Sequence, residues 1–187
     1  MRKIILLSIF YLFVNNCYSK EYPGEYFTNS NDTIRCMINV KVNIIYKDLI
    51  NPLSCKYSVK IIEIEGGKKK LTPHQIKGFR IENTSEGVMI FESVTIENKG
   101  TFFVQKLEEG EITLYKYFYP HGYDYSVQFH YLVKKENEYC FLHLFGFRKA
   151  LSKYIKDNEE IYQSLTNKEY NYKNIQEVIE LYNNTND

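Results

Sequence analysis

The sequence predicts an α+β protein: an antiparallel β-rich domain, barrel-like or a sandwich of short strands, followed by a three-helix C-terminal segment. Three observations carry that expectation. The stretch Thr101–Phe118, TFFVQKLEEGEITLYKYF, holds two runs of β-branched and aromatic residues around a Glu-Glu-Gly-Glu turn. The chain is rich in rings, with 18 Tyr, 12 Phe and no Trp, and tyrosine favours strands whose hydroxyls reach water. From Gly146 onward the apolar period changes from that of a strand to that of a helix. With 187 residues, 44% hydrophobic and 25% charged, the chain buries one ordinary core, so one domain with appendages is expected.

Taken in order, Met1-Arg2-Lys3 is a basic start, Ile4–Val14 an apolar run, and Asn15–Ser19 a polar stretch ending in a small residue. That is the layout of a secretory signal peptide over 1–19, too short to span a bilayer. Cleavage is expected after Ser19; acylation at Cys17 is the alternative. Loss of Arg2 and Lys3 turns the net charge of +1 into −1. The charges are interspersed, which gives no footprint for nucleic acid. The longest basic run, Lys68-Lys69-Lys70 after Gly66-Gly67, reads as a solvated hairpin tip. No other stretch is long and apolar enough for a membrane span, so none is expected in the mature chain.

Gly24–Val42 reads as a hairpin turning at Asn29-Ser30-Asn31-Asp32, with Asp32 capping the turn. Val42–Ser54 is a connection. Tyr57–Glu65 is a strand with Val59 and Ile61 on one face and Lys60, Ile62 and Ile64 on the other. Lys68–Leu71 returns, and Thr72–Ile76 suits one helical turn capped by Thr72. Phe79–Glu82 and Val88–Phe91 are short strands. In the hairpin Thr101–Phe118, Phe102 and Val104 oppose Phe103 and Leu107, and Ile112, Leu114 and Phe118 oppose Tyr115 and Tyr117. Apolar residues on both faces predict an interior hairpin, with the N-terminal strands covering one side and the C-terminal helices the other. Gly110 is expected to supply a positive φ at its turn.

Tyr119–Tyr125, YPHGYDY, is the candidate recognition loop, with Tyr119, His121, Tyr123, Asp124 and Tyr125 as candidate binding residues; the alternative is that it packs on the wall of the β domain. Val127–Lys134 and Tyr139–Leu144 form a last hairpin, closing a β domain over 20–145. In the helical segment, 146–187, Phe147, Ala150, Leu151, Tyr154 and Ile155 lie at helical spacing, Asp157-Asn158 ends that helix and caps the next, and Asn174-Ile-Gln-Glu177 fits a capping box. Residues 183–187 are expected to fray.

Export leaves Cys36, Cys55 and Cys140. Either Cys36 pairs with Cys55, or all three are buried thiols. His74, His121, His130 and His143 are scattered, with no CxxC or HxxxH spacing, so neither metal nor cofactor is expected. His121, Asp124 and His130 are clustered along the chain and would serve an exported hydrolase, but no G-x-S-x-G, HExxH or Cys-His signature accompanies them.

Several motifs are similar to those of a group of small exported proteins common in Bacteroidota that lacks an assigned activity. These are Gly24 followed by Asp32-Thr33-Ile34 and Ile38, Leu71–Phe79, Leu107–Tyr115, and Tyr172–Ile175 leading to Leu181-Tyr182-Asn183. Cys36 stands where that group usually has glycine. The resemblance implies a cell-envelope protein located in the periplasm, at the cell surface or outside, and brings no catalytic residues. The expected function is therefore a non-catalytic binding or structural module with a protein, glycan or other envelope partner. A helical tail that docks on another subunit is the structural version of it.

Overall fold

The computed structural model describes residues 18–43, 48–124 and 126–186. The expected leader lies outside them except for its last two residues, Tyr18 and Ser19. Ten antiparallel strands follow: β1 (Ser19–Thr28), β2 (Thr33–Lys41), β3 (Val59–Glu63), β4 (Lys68–Leu71), β5 (Ile76–Thr84), β6 (Gly87–Ile96), β7 (Gly100–Glu108), β8 (Ile112–Pro120), β9 (Val127–Lys135) and β10 (Glu138–Leu142). Three α-helices come after them: α1 (Phe147–Leu151), α2 (Glu159–Thr166) and α3 (Ile175–Asn186). The β-rich part and the helical tail thus stand as the sequence predicts. The strands form one sheet in the order β10-β9-β8-β7-β6-β5-β1-β2-β3-β4, which does not close into a barrel and leaves β10 and β4 as edges.

Most neighbours are hairpin partners, and the non-local step is β1 against β5. Gly24 makes that step possible. It faces Cys36 on β2 and Ile81 on β5; a Cβ there would clash with the carbonyl of Arg80 and stand 2.8 Å from Ile38 Cδ1. Close approach of three backbones is the physical reason for glycine here. The cysteine at 36 needs no such relief and lies as an ordinary buried strand residue.

Alternation sends Tyr22, Tyr26, Ile38, Val40, Val59, Ile61, Phe79, Ile81, Met89, Phe91 and Phe103 into one core. Phe79 stacks on Phe91 at 4.8 Å and meets Phe103 edge-on at 5.0 Å. A second core joins Ile112, Leu114, Val133 and Leu142 to Phe147, Leu151, Ile155, Leu165, Val178, Ile179 and Tyr182. The helices therefore cover their own sheet. Ile112, Leu114 and Phe118 share a parity, and Phe118 packs on the first core. Both covers thus lie along one face of β8, rather than on opposite faces as expected.

Other expectations shift by a few residues. Thr72–Ile76 is a turn, with Gln75 N donating to Thr72 O at 3.0 Å, and Ile76 already belongs to β5. The capping box before α3 is Asn171 with Asn174, not Asn174 with Glu177. The residues expected to fray are helical through 186, and Asn183 is buried. Gly110 has no positive φ; its missing side chain makes room for Asn183, whose Nδ2 would stand 2.6 Å from a Cβ. Cys36, Cys55 and Cys140 are free thiols, the first two buried.

Pairing between β7 and β8 runs only from Gln105↔Lys116 to Glu108↔Leu114. Beyond it the strands part, and the segment after a 3-10 turn (Pro52–Ser54) fills the gap. Lys56 O accepts from Phe103 N on β7 at 2.8 Å, and Lys56 Nζ donates to Phe118 O on β8 at 2.9 Å. One residue serves both parted strands.

Candidate functional site

β8, β9 and β10 present their second face away from the helices. There, alternation places Tyr115, Tyr117 and Tyr119 on β8, Leu132 and His130 on β9, and Tyr139 and Phe141 on β10. Toward Glu138 these residues close over a small core of Val94, Phe102, Val104, Tyr115 and Leu132. Toward the 121–126 turn they become a half-exposed circuit of rings. Tyr117 lies 6.5 Å from Tyr119, Tyr119 stacks on His130 at 4.5 Å, and His130 meets His143 edge-on at 4.5 Å. His143 lies 6.2 Å from Phe141, which returns to Tyr117 at 5.1 Å. Two ammonium groups border the circuit: Lys56 Nζ sits 4.0 Å from the Tyr117 centroid and Lys99 Nζ 4.8 Å from that of Phe141.

Electrostatics follow from this packing. Burial lowers the pKa of His130 from the ordinary histidine value, with His143 and Lys99 adding to the effect, so at neutral pH its ring is uncharged. Burial also lowers the pKa of Lys56.

The residues expected from the loop divide. Tyr119 packs on the sheet within the circuit. His121, Tyr123 and Asp124 form an exposed turn, with Tyr123 at 92% exposure; Tyr125 lies outside the described residues. His121 N donates to Ser126 O at 2.8 Å, and Asp124 Oδ1 accepts from Ser126 N at 3.0 Å. The Ser126 hydrogen bonds, with a contribution from His121, hold the Asp124 carboxyl below its usual range. His121 Nδ1 and Asp124 Oδ1 lie 3.0 Å apart. His130, the third member of the hydrolase grouping, is held between Tyr119 and His143 instead. At the same end Leu144 and Phe145 are exposed after β10.

Tyr117, Phe141 and His143 were not among the candidates. Their signal is the period-two repeat of rings in Tyr115-x-Tyr117-x-Tyr119 and Tyr139-x-Phe141-x-His143, two stripes that the register brings together through β9. A concavity of about 310 Å³ opens on the opposite face beside Phe118, Val127 and Phe129. Among the described residues no group of three or more His, Cys, Asp or Glu side chains is placed to hold a metal ion, and no helix is long and apolar enough to cross a membrane.

Comparison with protein-family models, with curated proteins and with solved structures finds no match.

Proposed function

We propose that this is an exported, non-catalytic cell-envelope module that binds an envelope partner through the ring circuit Tyr117–Tyr119–His130–His143–Phe141. The observation that carries the reading is that circuit: five rings on an open sheet face, four half-buried and His143 exposed, bordered by two ammonium groups. Rings fixed by a sheet give contact area at little entropic cost, and imidazole and phenol groups supply hydrogen bonds at their edges. An open stripe suits an extended partner, a glycan chain or a protein segment, better than a small molecule that needs enclosure. Export rests on the basic start and the apolar run Ile4–Val14, and the resemblance to small exported proteins supports the same compartment.

The test is a glycan array and a pull-down from envelope extract with wild type and a Tyr119→Ala/His130→Ala/Phe141→Ala variant. A partner retained by wild type and weakened at least about tenfold, the loss of roughly 1.4 kcal/mol, supports the reading. Capture that survives the triple substitution, or no capture by wild type, overturns it.

A hydrolase is the second reading, favoured by the His121–Asp124 contact, since a carboxylate that orients an imidazole is half of a general-base arrangement. A hydrolase screen decides it: activity abolished by His121→Ala supports it, and no activity in wild type removes it.

A further inference from the structure

β10 and β4 are the two open edges of the sheet, and they are built differently. β4 reads KKKL, and lysines on an edge strand guard it against the addition of another strand. β10 reads EYCFL, with its single charge at the first residue and neither lysine nor proline. Its register with β9 is regular, without a bulge. Charge, proline and bulge, the usual devices that blunt an edge, are thus missing from residues 139–142. α1 packs on the inner face of the strand, where Leu142 and Phe147 share the second core.

The hairpin fixes which groups this edge offers. Lys135 and Glu138 close a two-residue turn at Glu136-Asn137, in which Glu136 has a φ of 56°, and a turn of this kind is closed by a hydrogen-bonded pair. Such pairs recur at every second residue, so Cys140↔Val133 is the next. Leu142↔Tyr131 continues the series, with the Tyr172 hydroxyl inserted between Tyr131 N and Leu142 O. Tyr139 and Phe141 therefore turn their N–H and C=O groups away from β9. Among the described residues those two N–H groups meet no acceptor, and Phe141 O has only the weak Cys140 thiol, at 3.7 Å.

These outward groups complement themselves. Turned about a two-fold axis through Cys140, a second β10 runs antiparallel to the first and sets Tyr139 opposite Phe141 of the second copy. Each such pair exchanges two hydrogen bonds, which uses every outward group of both strands. Ring faces ring on one side of the sheet, and thiol faces thiol on the other. Glu138 falls opposite Leu142, so no like charges meet. Moving the axis to Tyr139 or Phe141 matches one ring with itself and sets the other against Asn137 or His143. A head-to-tail join of β10 to β4 would meet the lysines and would not close.

We propose that β10 is a dimerisation edge, to which a second copy of this chain adds its own β10, antiparallel about Cys140, to make one continuous sheet. The edge is separate from the ring circuit and does not depend on what that circuit binds.

The test is sedimentation equilibrium of the purified chain over a concentration series, with a reductant present. Wild type is expected to dimerise reversibly. Tyr139→Pro removes an outward N–H and leaves the ladder to β9 intact; half of the bonds across the axis are lost, and the dimer should weaken at least about tenfold. Cys140→Lys, which sets two ammonium groups face to face, should do the same. Cys140→Ser and Tyr119→Ala/His130→Ala should dimerise as wild type does. Without the reductant, added diamide should join the wild-type dimer: two Cys140 thiols give two protons and two electrons to the N=N bond and form one disulfide. The pairing sets their Cα atoms about 4.5 Å apart, within disulfide reach. Cys36 and Cys55 are buried, so Cys140→Ser should give no cross-link. A monomer at every concentration overturns the proposal, including one that takes up a strand of another protein. So does a dimer that Tyr139→Pro and Cys140→Lys leave at full strength, or one that diamide does not join through Cys140.

Discussion

Asn183, near the end of α3, offers its amide to Ile112 the way a neighbouring strand would. Its Oδ1 accepts from Ile112 N at 3.0 Å and its Nδ2 donates to Ile112 O at 2.9 Å, both buried. Truncation leaves two buried backbone groups without partners, so Asn183→Ala is expected to cost about 2 to 4 kcal/mol, read in denaturant melts. A loss below about 0.5 kcal/mol would mean that water replaces the amide. Gly110→Ala should also destabilise, and part of that cost should vanish when Asn183 is already alanine, because the two sites are in contact. In the sequence Asn183 is one asparagine in a polar tail, and nothing local marks its reach of 71 residues. His130 is a second residue-scale case. Its folded pKa lies below the unfolded value, near 6.5, so its contribution is present above that value and is lost as pH falls through the folded pKa. Melting temperature should therefore drop between neutral and mildly acid pH, and His130→Gln should flatten the drop. An unchanged slope in the variant would place the titration elsewhere.

At the scale of elements, hairpins were the legible part because their information is local. Gly24–Val42, the runs flanking the 109–111 turn, and Val127–Leu144 all carry alternation and turn residues within a few positions, and all form hairpins of strands, the last ending at Leu142 rather than Leu144. The helix caps were less so: Asn158 Oδ1 accepts from Ile161 N as its position implies, but the capping box belongs to Asn171, since the first turn before α3 is 3-10. The interior position of β8 was readable from apolar residues on both faces. What covers each face was not, because parity fixes sides only relative to neighbours. Leu114 is fully buried between the helices and β9, and Leu114→Ala is expected to cost about 2 to 4 kcal/mol. A loss below about 1 kcal/mol in denaturant melts would show that the helices relax onto the smaller side chain. The ring circuit belongs to this scale too. Each stripe is visible as a period-two repeat, yet the pairing of the stripes needs the register of three strands.

For the whole molecule, the strand order decides between open and closed architectures, and that order depends on one non-local pairing, β1 with β5, which no short motif announces. The result is one sheet with two cores on the same face, and the question is whether they unfold together. They are continuous through β6, β7 and β8, and Lys56 ties the parted ends of β7 and β8 together. Each core also leans on the strands of the other, since Phe103 and Phe118 serve the first while Leu107 and Leu114 serve the second. A single transition is therefore expected. The thiols report on it. Burial pushes the Cys55 thiol up to about 12 and that of Cys36 up to about 11, so both stay protonated and inaccessible at mildly alkaline pH in the native state, and both sit in the first core. Labelling of Cys36 and Cys55 with a thiol reagent across a denaturant series should follow the loss of helical circular dichroism, which reports the second core, with one midpoint. Labelling while the helical signal is intact would show that β1–β5 open on their own and that the bridge at Lys56 does not couple the halves.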